Sequence, residues 1–246
     1  MPNQFSRSEL IYGKDAIELL KHKHVAIFGL GGVGGYVAES LARTGIGRFT
    51  LIDGDTIALT NLNRQIIATL DTVGKYKSEV MRDRILSINP DAKIEALNIF
   101  VDKDNIKNID FDSFDYIVDA IDTVTSKIAI IVKAKELNKP IISSMGAGNK
   151  VNSMGFIVAD ISKTEMDPLA KVIRTSLRKQ EINHLKVVYS KEVPLKPISN
   201  GDVEESNKRE IPGSNAFVPS AAGLLIASEV IRDLTNEVTR EELHRE

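Results

Sequence analysis

The residues best suited to chemistry in this chain are a glycine run, Gly29-Leu-Gly31-Gly32-Val-Gly34, followed by Asp53, Arg64, Lys77 and Asp122. Glycines at this spacing let the backbone approach a pyrophosphate with no Cβ in the way. A helix that starts there aims free N–H groups and the positive end of its dipole at the anion. The apolar Val25-Ala-Ile-Phe28 ahead of the run, with Val33, Val37 and Leu41 at helical spacing after it, predicts strand, tight turn and helix. Taken alone, the glycines favour a nicotinamide or flavin dinucleotide site, since dinucleotide enzymes are the commonest hosts of this motif. Asp53 follows Gly34 by 19 residues, at the end of a second strand, where it can accept hydrogen bonds from a ribose of either ligand type. Arg64 and Lys77 separate the two readings. A dehydrogenase has little use for fixed positive charge past the ribose acid, whereas a triphosphate needs it along its length. Arg64 can fork onto phosphate oxygens and Lys77 can act as a point charge, although Lys77 could also be a solvated lysine beside Lys75.

The elements that must hold these groups follow the same alternation. A helix is expected over 4–21, then the first strand and helix ending at Gly45 and Gly47, and a second strand from Arg48 to Asp53. A helix over 78–87 stops at Asn89-Pro90, and a short strand covers Lys93 to Leu97. Phe114 to Ile121 reads as a buried parallel strand that delivers Asp119 and Asp122 at its C-terminal edge. Asp119 could instead be a structural acid capping the next helix, 123–138. A strand then leads into Gly146-Ala-Gly148-Asn149, which reads as either a plain turn or a wall of a substrate pocket. A helix over 167–180 places Lys171, Arg174 and Arg178 on one face, with Lys163 and Lys179 nearby, and turns Leu169, Val172, Ile173 and Leu177 inward. That face is either a solvated surface or a set of phosphate contacts. A strand over 185–190, a polar loop over 192–212, a helix over 221–234 and a charged tail complete the chain. The expected class is α/β, a Rossmann-like doubly wound and mostly parallel sheet with an α/β C-terminal extension.

Composition bounds the function further. The chain has 246 residues, 42% of them apolar, enough for one large domain with a full core. Its 32 basic and 34 acidic residues give a net charge of −2, so a nucleic-acid partner would have to be met by a local basic patch. There is no cysteine, which excludes disulfides, thiolate zinc sites, thioester chemistry and sulfur relay through this chain. The N-terminus carries no signal-peptide pattern and no apolar run reaches membrane-spanning length, so a cytoplasmic protein with no transmembrane segment is expected.

Gly29-x-Gly31-Gly32-x-Gly34, Asp53-x-Asp55, Asn61-x-Asn63-Arg64-Gln65, Lys77 and Asp119-Ala-Ile-Asp122 together resemble the ATP-adenylating family of ubiquitin-activating enzymes and the molybdopterin-synthase and thiazole-synthesis adenylyltransferases. The resemblance implies that Gly29, Gly31, Gly32 and Gly34 line the phosphates and that Asp53, with Asp55, holds the ribose side. It implies that Asn61, Arg64, Gln65 and Lys77 hold the triphosphate and that Asp122 works with Mg2+ and ATP. Arg7 matches an N-terminal arginine that reaches into the partner subunit's ATP site, which implies a homodimer. The absence of cysteine disfavours branches that relay a thioester or bind structural zinc. The segments 159–164, 167–174, Arg178-Lys179 and 214–223 are similar to the bacterial tRNA threonylcarbamoyladenosine dehydratases, and that likeness covers essentially the whole chain. It implies one ATP-adenylating domain over 1–246, with a nucleotide core near 20–150 and a C-terminal part, 151–246, for tRNA contact and sheet or dimer completion. It also implies that the threonine carboxylate is adenylated and attacked from within the same nucleoside, giving net loss of water, AMP and pyrophosphate. Lys163, Lys171, Arg174, Arg178 and Lys179 then become the candidate tRNA contacts. An adenylyltransferase acting on the Gly-Gly terminus of a small sulfur carrier would share every ATP residue and is the alternative. A nicotinamide oxidoreductase shares only the glycine run and Asp53.

Overall fold

The computed structural model describes residues 2–198 and 212–235. Its elements run α1 (Ser6–Tyr12), α2 (Lys14–Lys21), β1 (His24–Phe28), α3 (Gly34–Thr44), β2 (Arg48–Ile52), α4 (Lys77–Ile88), β3 (Lys93–Leu97), β4 (Tyr116–Asp119), α5 (Val124–Glu136), β5 (Ile141–Ser144), β6 (Phe156–Asp160), α6 (Pro168–Arg178), β7 (Lys186–Ser190) and α7 (Val218–Thr235), with short 3₁₀ turns between them. The strands form one seven-stranded sheet in the order β3-β2-β1-β4-β5-β7-β6. All pairings are parallel except β6 with β7, so the chain is doubly wound with a single antiparallel edge. Chain order reverses between β1 and β4, the switch point outside whose C-terminal ends such sheets bind ligands.

Every residue of β1 is buried, as a central strand covered on both faces requires. Its pleat sends Val25 and Ile27 into one hydrophobic layer with α3, α4 and α7, and Ala26 and Phe28 into a second layer with α5 and α6. Helix α7 lies close against α3 because Gly223 has no side chain: a Cβ there would sit 2.5 Å from the carbonyl oxygen of Val33. That approach carries the start of α7 to the glycine turn, where Pro219 meets Gly32.

Three expectations are corrected. The helix over 4–21 is two helices, broken at Gly13 with φ of 84°. Leu10 and Ile11 on the first of them stay exposed, while Ile17 and Leu20 on the second enter the core. The edge strand β6 has no counterpart in the sequence reading, although Phe156-Ile-Val-Ala159 carries the β-rich composition that signals one. Val172 is 46% exposed, leaving Ala170, Ile173 and Leu177 as the buried stripe of α6. Most of the 192–212 loop and of the charged tail lies outside the described residues.

Candidate active site

The C-terminal ends of β1, β2, β4 and β5 open into one cleft of about 750 Å³, within the range that holds small ligands. On one side it is floored by the glycine turn. There a Cβ on Gly34 would lie 1.8 Å from the carbonyl oxygen of Gly29, so the turn closes only with glycine at that position. Asp53, at the end of β2, clips this turn: its Oδ2 accepts from the amide of Leu30 at 2.7 Å and its Oδ1 from the amide of Asp55 at 2.9 Å. Burial pushes the Asp53 carboxyl above its ordinary value, with the Lys77 ammonium opposing the shift.

Lys77 begins α4 and is only 6% exposed, its Nζ donating to Asp55 Oδ2 at 2.7 Å. Lys75 is exposed, so the fold selects Lys77 as the cleft lysine. Arg64 is half-buried, and its Nη1 donates to the carbonyl of Thr60 and to Asn63 Oδ1, both at 3.0 Å. Burial lowers its pKa while the nearby Asp122 carboxylate raises it. Asn61 shapes the same turn, its Oδ1 accepting from the amide of Ala58 and its backbone carbonyl accepting from the amides of Arg64 and Gln65. Gln65 is 5% exposed and lines the cleft, and its Oε1 is buried without a hydrogen-bond partner among the described residues.

The two candidate metal acids are separated by the fold. Asp119 is fully buried. Its Oδ2 accepts from Lys127 Nζ at 2.7 Å and Ser143 Oγ at 2.5 Å, so it ties β4 to α5 and β5 rather than capping α5. Asp122 is exposed at the cleft, and among the described residues its only hydrogen bond is a long one from Thr123 Oγ1, 3.5 Å. No group of three or more His, Cys, Asp or Glu side chains suited to a metal occurs among the described residues. A single free carboxylate beside a phosphate cradle fits Mg2+, which is commonly held by one or two carboxylates and the phosphates themselves.

The other side of the cleft is the β5–β6 loop and the start of α6, so Gly146 to Asn149 form a wall rather than a remote turn. Lys150 fixes that wall. Its Nζ is buried and donates to the carbonyl of Gly146 at 2.7 Å, to Asp167 Oδ2 at 2.9 Å and to the carbonyl of Ser190 at 3.3 Å. Asp167 in turn caps α6 through the amide of Ala170 at 2.9 Å. Sequence reasoning missed this pair, because 17 residues separate its members and neither lies in a periodic pattern. Arg7 sits exposed on α1 and does not line the cleft of its own chain.

Helix α6 leads away from the cleft wall. Lys171, Arg178 and Lys179 are exposed along it, with Lys163 exposed just before it. Arg174 differs: it is half-buried and its Nη1 donates to the carbonyl and hydroxyl of Thr164. Its guanidinium therefore holds the 161–164 turn against the helix.

The fold and sequence are similar to those of known proteins. The tRNA threonylcarbamoyladenosine dehydratase of Bacillus subtilis (strain 168) is 43% identical over 97% of both chains, and that of Escherichia coli (strain K12) is 39% identical over 81% of this chain and 78% of its own. The crystal structure of E. coli tRNA N6-threonylcarbamoyladenosine dehydratase, TcdA, in complex with ATP superposes with a TM-score of 0.86 at 33% identity, covering 97% of this chain and 96% of that one. The complex of the same enzyme with AMP superposes with a TM-score of 0.87 over 95% of this chain and 94% of that one. The ThiF family model matches residues 5–245, and with that span the chain belongs to the ThiF family.

Proposed function

We propose that this protein is an ATP-dependent tRNA threonylcarbamoyladenosine dehydratase. The observation that carries the reading is the meeting, in one cleft, of a phosphate cradle with the Gly146–Asn149 wall, in a chain that has no cysteine to take over an activated acyl group. Such a site suits a carboxylate that is adenylated and then attacked from within its own molecule, a reaction that needs orientation rather than an enzyme nucleophile.

In this reading the glycine turn and the N-terminus of α3 receive the phosphates, and Asp53 accepts hydrogen bonds from the ribose. The threonine carboxylate of the modified nucleoside lies between the phosphates and the Gly146–Asn149 wall. Its oxygen bonds to the α-phosphorus while the bond to the bridging oxygen breaks and pyrophosphate departs. Arg64 and Lys77 stabilise the charge that builds on the non-bridging and leaving oxygens. The carbamoyl group then bonds to the acyl carbon, AMP leaves with the carboxylate oxygen, and a proton is lost as the ring closes. The net change to the nucleoside is loss of one water. Asp122 would hold Mg2+, which supplies charge neutralisation at the phosphates.

Lys171, Arg178, Lys179 and Lys163 give tRNA phosphates a basic line that starts next to the acceptor wall, in keeping with a nucleotide core near 20–150 and a C-terminal part that meets tRNA. No helix among the described residues is long and apolar enough to cross a membrane, and a tRNA substrate suits a cytoplasmic enzyme. Arg7, exposed and outside its own cleft, fits a homodimer in which it completes the neighbouring site. The test is to incubate the protein with ATP, Mg2+ and tRNA carrying threonylcarbamoyladenosine, and to weigh the nucleosides by mass spectrometry. An ATP-dependent loss of one water is expected; an unchanged nucleoside mass under conditions where ATP binds would overturn the assignment.

A further inference from the structure

Asn63 stands between two ATP-site residues, Asn61 and Arg64, yet it does not line the cleft itself, and its side chain joins two segments that do. Its Oδ1 accepts from Arg64 Nη1 at 3.0 Å, and its Nδ2 donates to the carbonyl oxygen of Ser214 at 3.0 Å, 151 positions away in the chain. The partners fix the amide orientation, since a guanidinium only donates and a carbonyl only accepts. Ser214 belongs to a short strap, 213–217, that runs into α7. On the far side of the cleft the strap is tied to the acceptor wall: the amide of Gly213 donates to Asn149 Oδ1 at 2.6 Å, and Asn215 Nδ2 donates to the carbonyl of Lys150 at 2.9 Å. Asn215 Oδ1 also accepts from the amides of Phe217 and Val218, both at 2.9 Å, which joins the strap to the start of α7. A continuous set of hydrogen bonds thus runs from the phosphate-side arginine, through Asn63 and the strap, to the loop that walls the other side of the cleft.

We propose that Asn63 is a positioning residue that couples occupancy of the ATP half of the cleft to the geometry of the acceptor half. Phosphate oxygens that draw the Arg64 guanidinium toward them reorient the amide of Asn63, and the strap follows through Ser214. That wall is then set for the nucleoside when ATP is in place. Coupling of this kind is reciprocal, so tRNA must tighten ATP binding by the same factor.

The inference rests on the dehydratase reading, and the test distinguishes the two. The affinity of α,β-methylene ATP is measured by calorimetry with and without tRNA carrying threonylcarbamoyladenosine, beside conversion of that tRNA by ATP in the same preparation. In the unaltered protein the tRNA is expected to tighten the nucleotide analogue by about fivefold or more. In Asn63→Ala the ratio is expected to fall toward one, while affinity for the analogue alone shifts by less than about tenfold, since Asn63 supports Arg64 without lining the cleft itself. Asn63→Asp keeps an acceptor for Arg64 but has no donor for Ser214, so it is expected to lose the ratio as Ala does. A ratio preserved in both variants overturns the coupling role and leaves Asn63 as a local support for Arg64. Conversion without any ratio in the unaltered protein also overturns it, with the dehydratase reading intact. Absence of conversion removes that reading, and the inference with it.

Discussion

At the scale of single residues, the site separates groups that hold the protein from groups left for a ligand. Asp119 and Asp167 are buried and ion-paired, whereas Arg64 and Asp122 face the cleft. Arg64→Ala and Asp122→Ala are each expected to lower ATP-dependent turnover by about 10²-fold or more, the effect of removing a group that stabilises transition-state charge. Circular dichroism should stay unchanged, and full activity in either variant would remove that residue from the mechanism. Lys150 predicts the opposite pattern. Lys150→Met leaves the Asp167 carboxylate buried without its cation, and a loss of about 3–5 kcal/mol in urea unfolding is expected. Adding Asp167→Asn, which keeps a cap for α6 but no charge, should recover part of that loss. If Lys150→Met costs nothing, the wall is held by something else. Of these residues the glycine turn, Asp53 and Arg64 were picked out by spacing and residue type, whereas spacing left Lys77 open beside Lys75, and Asp122 was picked out by its match to the family motif. Lys150 and Asp167 were not, because an ion pair between distant positions leaves no periodic trace in a sequence.

Among the elements, α6 carries the clearest division of labour. Its stripe of Ala170, Ile173 and Leu177 packs on the sheet, its first residues meet the cleft wall, and its outer side is basic. The expected tRNA patch is thinner than the spacing suggested, since Arg174 turns back to Thr164. Lys171→Ala with Arg178→Ala is expected to leave the melting temperature near that of the parent and to reduce the salt dependence of tRNA binding. For two lost phosphate contacts the slope of log K against log salt should fall by about 1.5–2. Arg174→Ala should instead lower thermal stability, by about 1 kcal/mol or somewhat more for a charged hydrogen-bond donor to a half-buried turn. An unchanged salt slope in the double variant would return α6 to an ordinary solvated helix. A second element-level case is the N-terminal pair: Gly13 splits what periodicity joins, and the exposed α1 carries Arg7, Leu10 and Ile11 away from the core.

Across the whole molecule, one assembly prediction and one pH prediction follow from the placement of Arg7 and His24. If Arg7 completes the partner's site, Arg7→Ala and Arg64→Ala are each inactive, but mixed dimers contain one intact site. Random reassortment of the two variants should then restore activity to about a quarter of that of the unaltered protein; no recovery on mixing would place Arg7 outside the neighbouring site. His24 is buried at the start of β1, the end of the central strand away from the cleft, with Nδ1 3.0 Å from the carbonyl of Ser113 and Nε2 2.9 Å from Thr50 Oγ1. Burial and Arg48 lower its pKa. The unfolded chain therefore binds a proton more readily than the native one, so this contribution to stability is present above about pH 6.5 and is lost as pH falls below it. Unfolding free energies measured from pH 8 to pH 5 should show that decline, and His24→Gln should flatten it. The sequence by itself determined the class of sheet and the glycine turn between its first strand and helix, because period and glycine spacing are local properties of a chain. Only the tertiary structure decided that Lys77 rather than Lys75 enters the cleft, that Asp119 is structural and Asp122 free, and that Asn63 meets Ser214. Each of those outcomes depends on which distant side chain fills the space or offers the hydrogen bond, and that is set only when the layers pack.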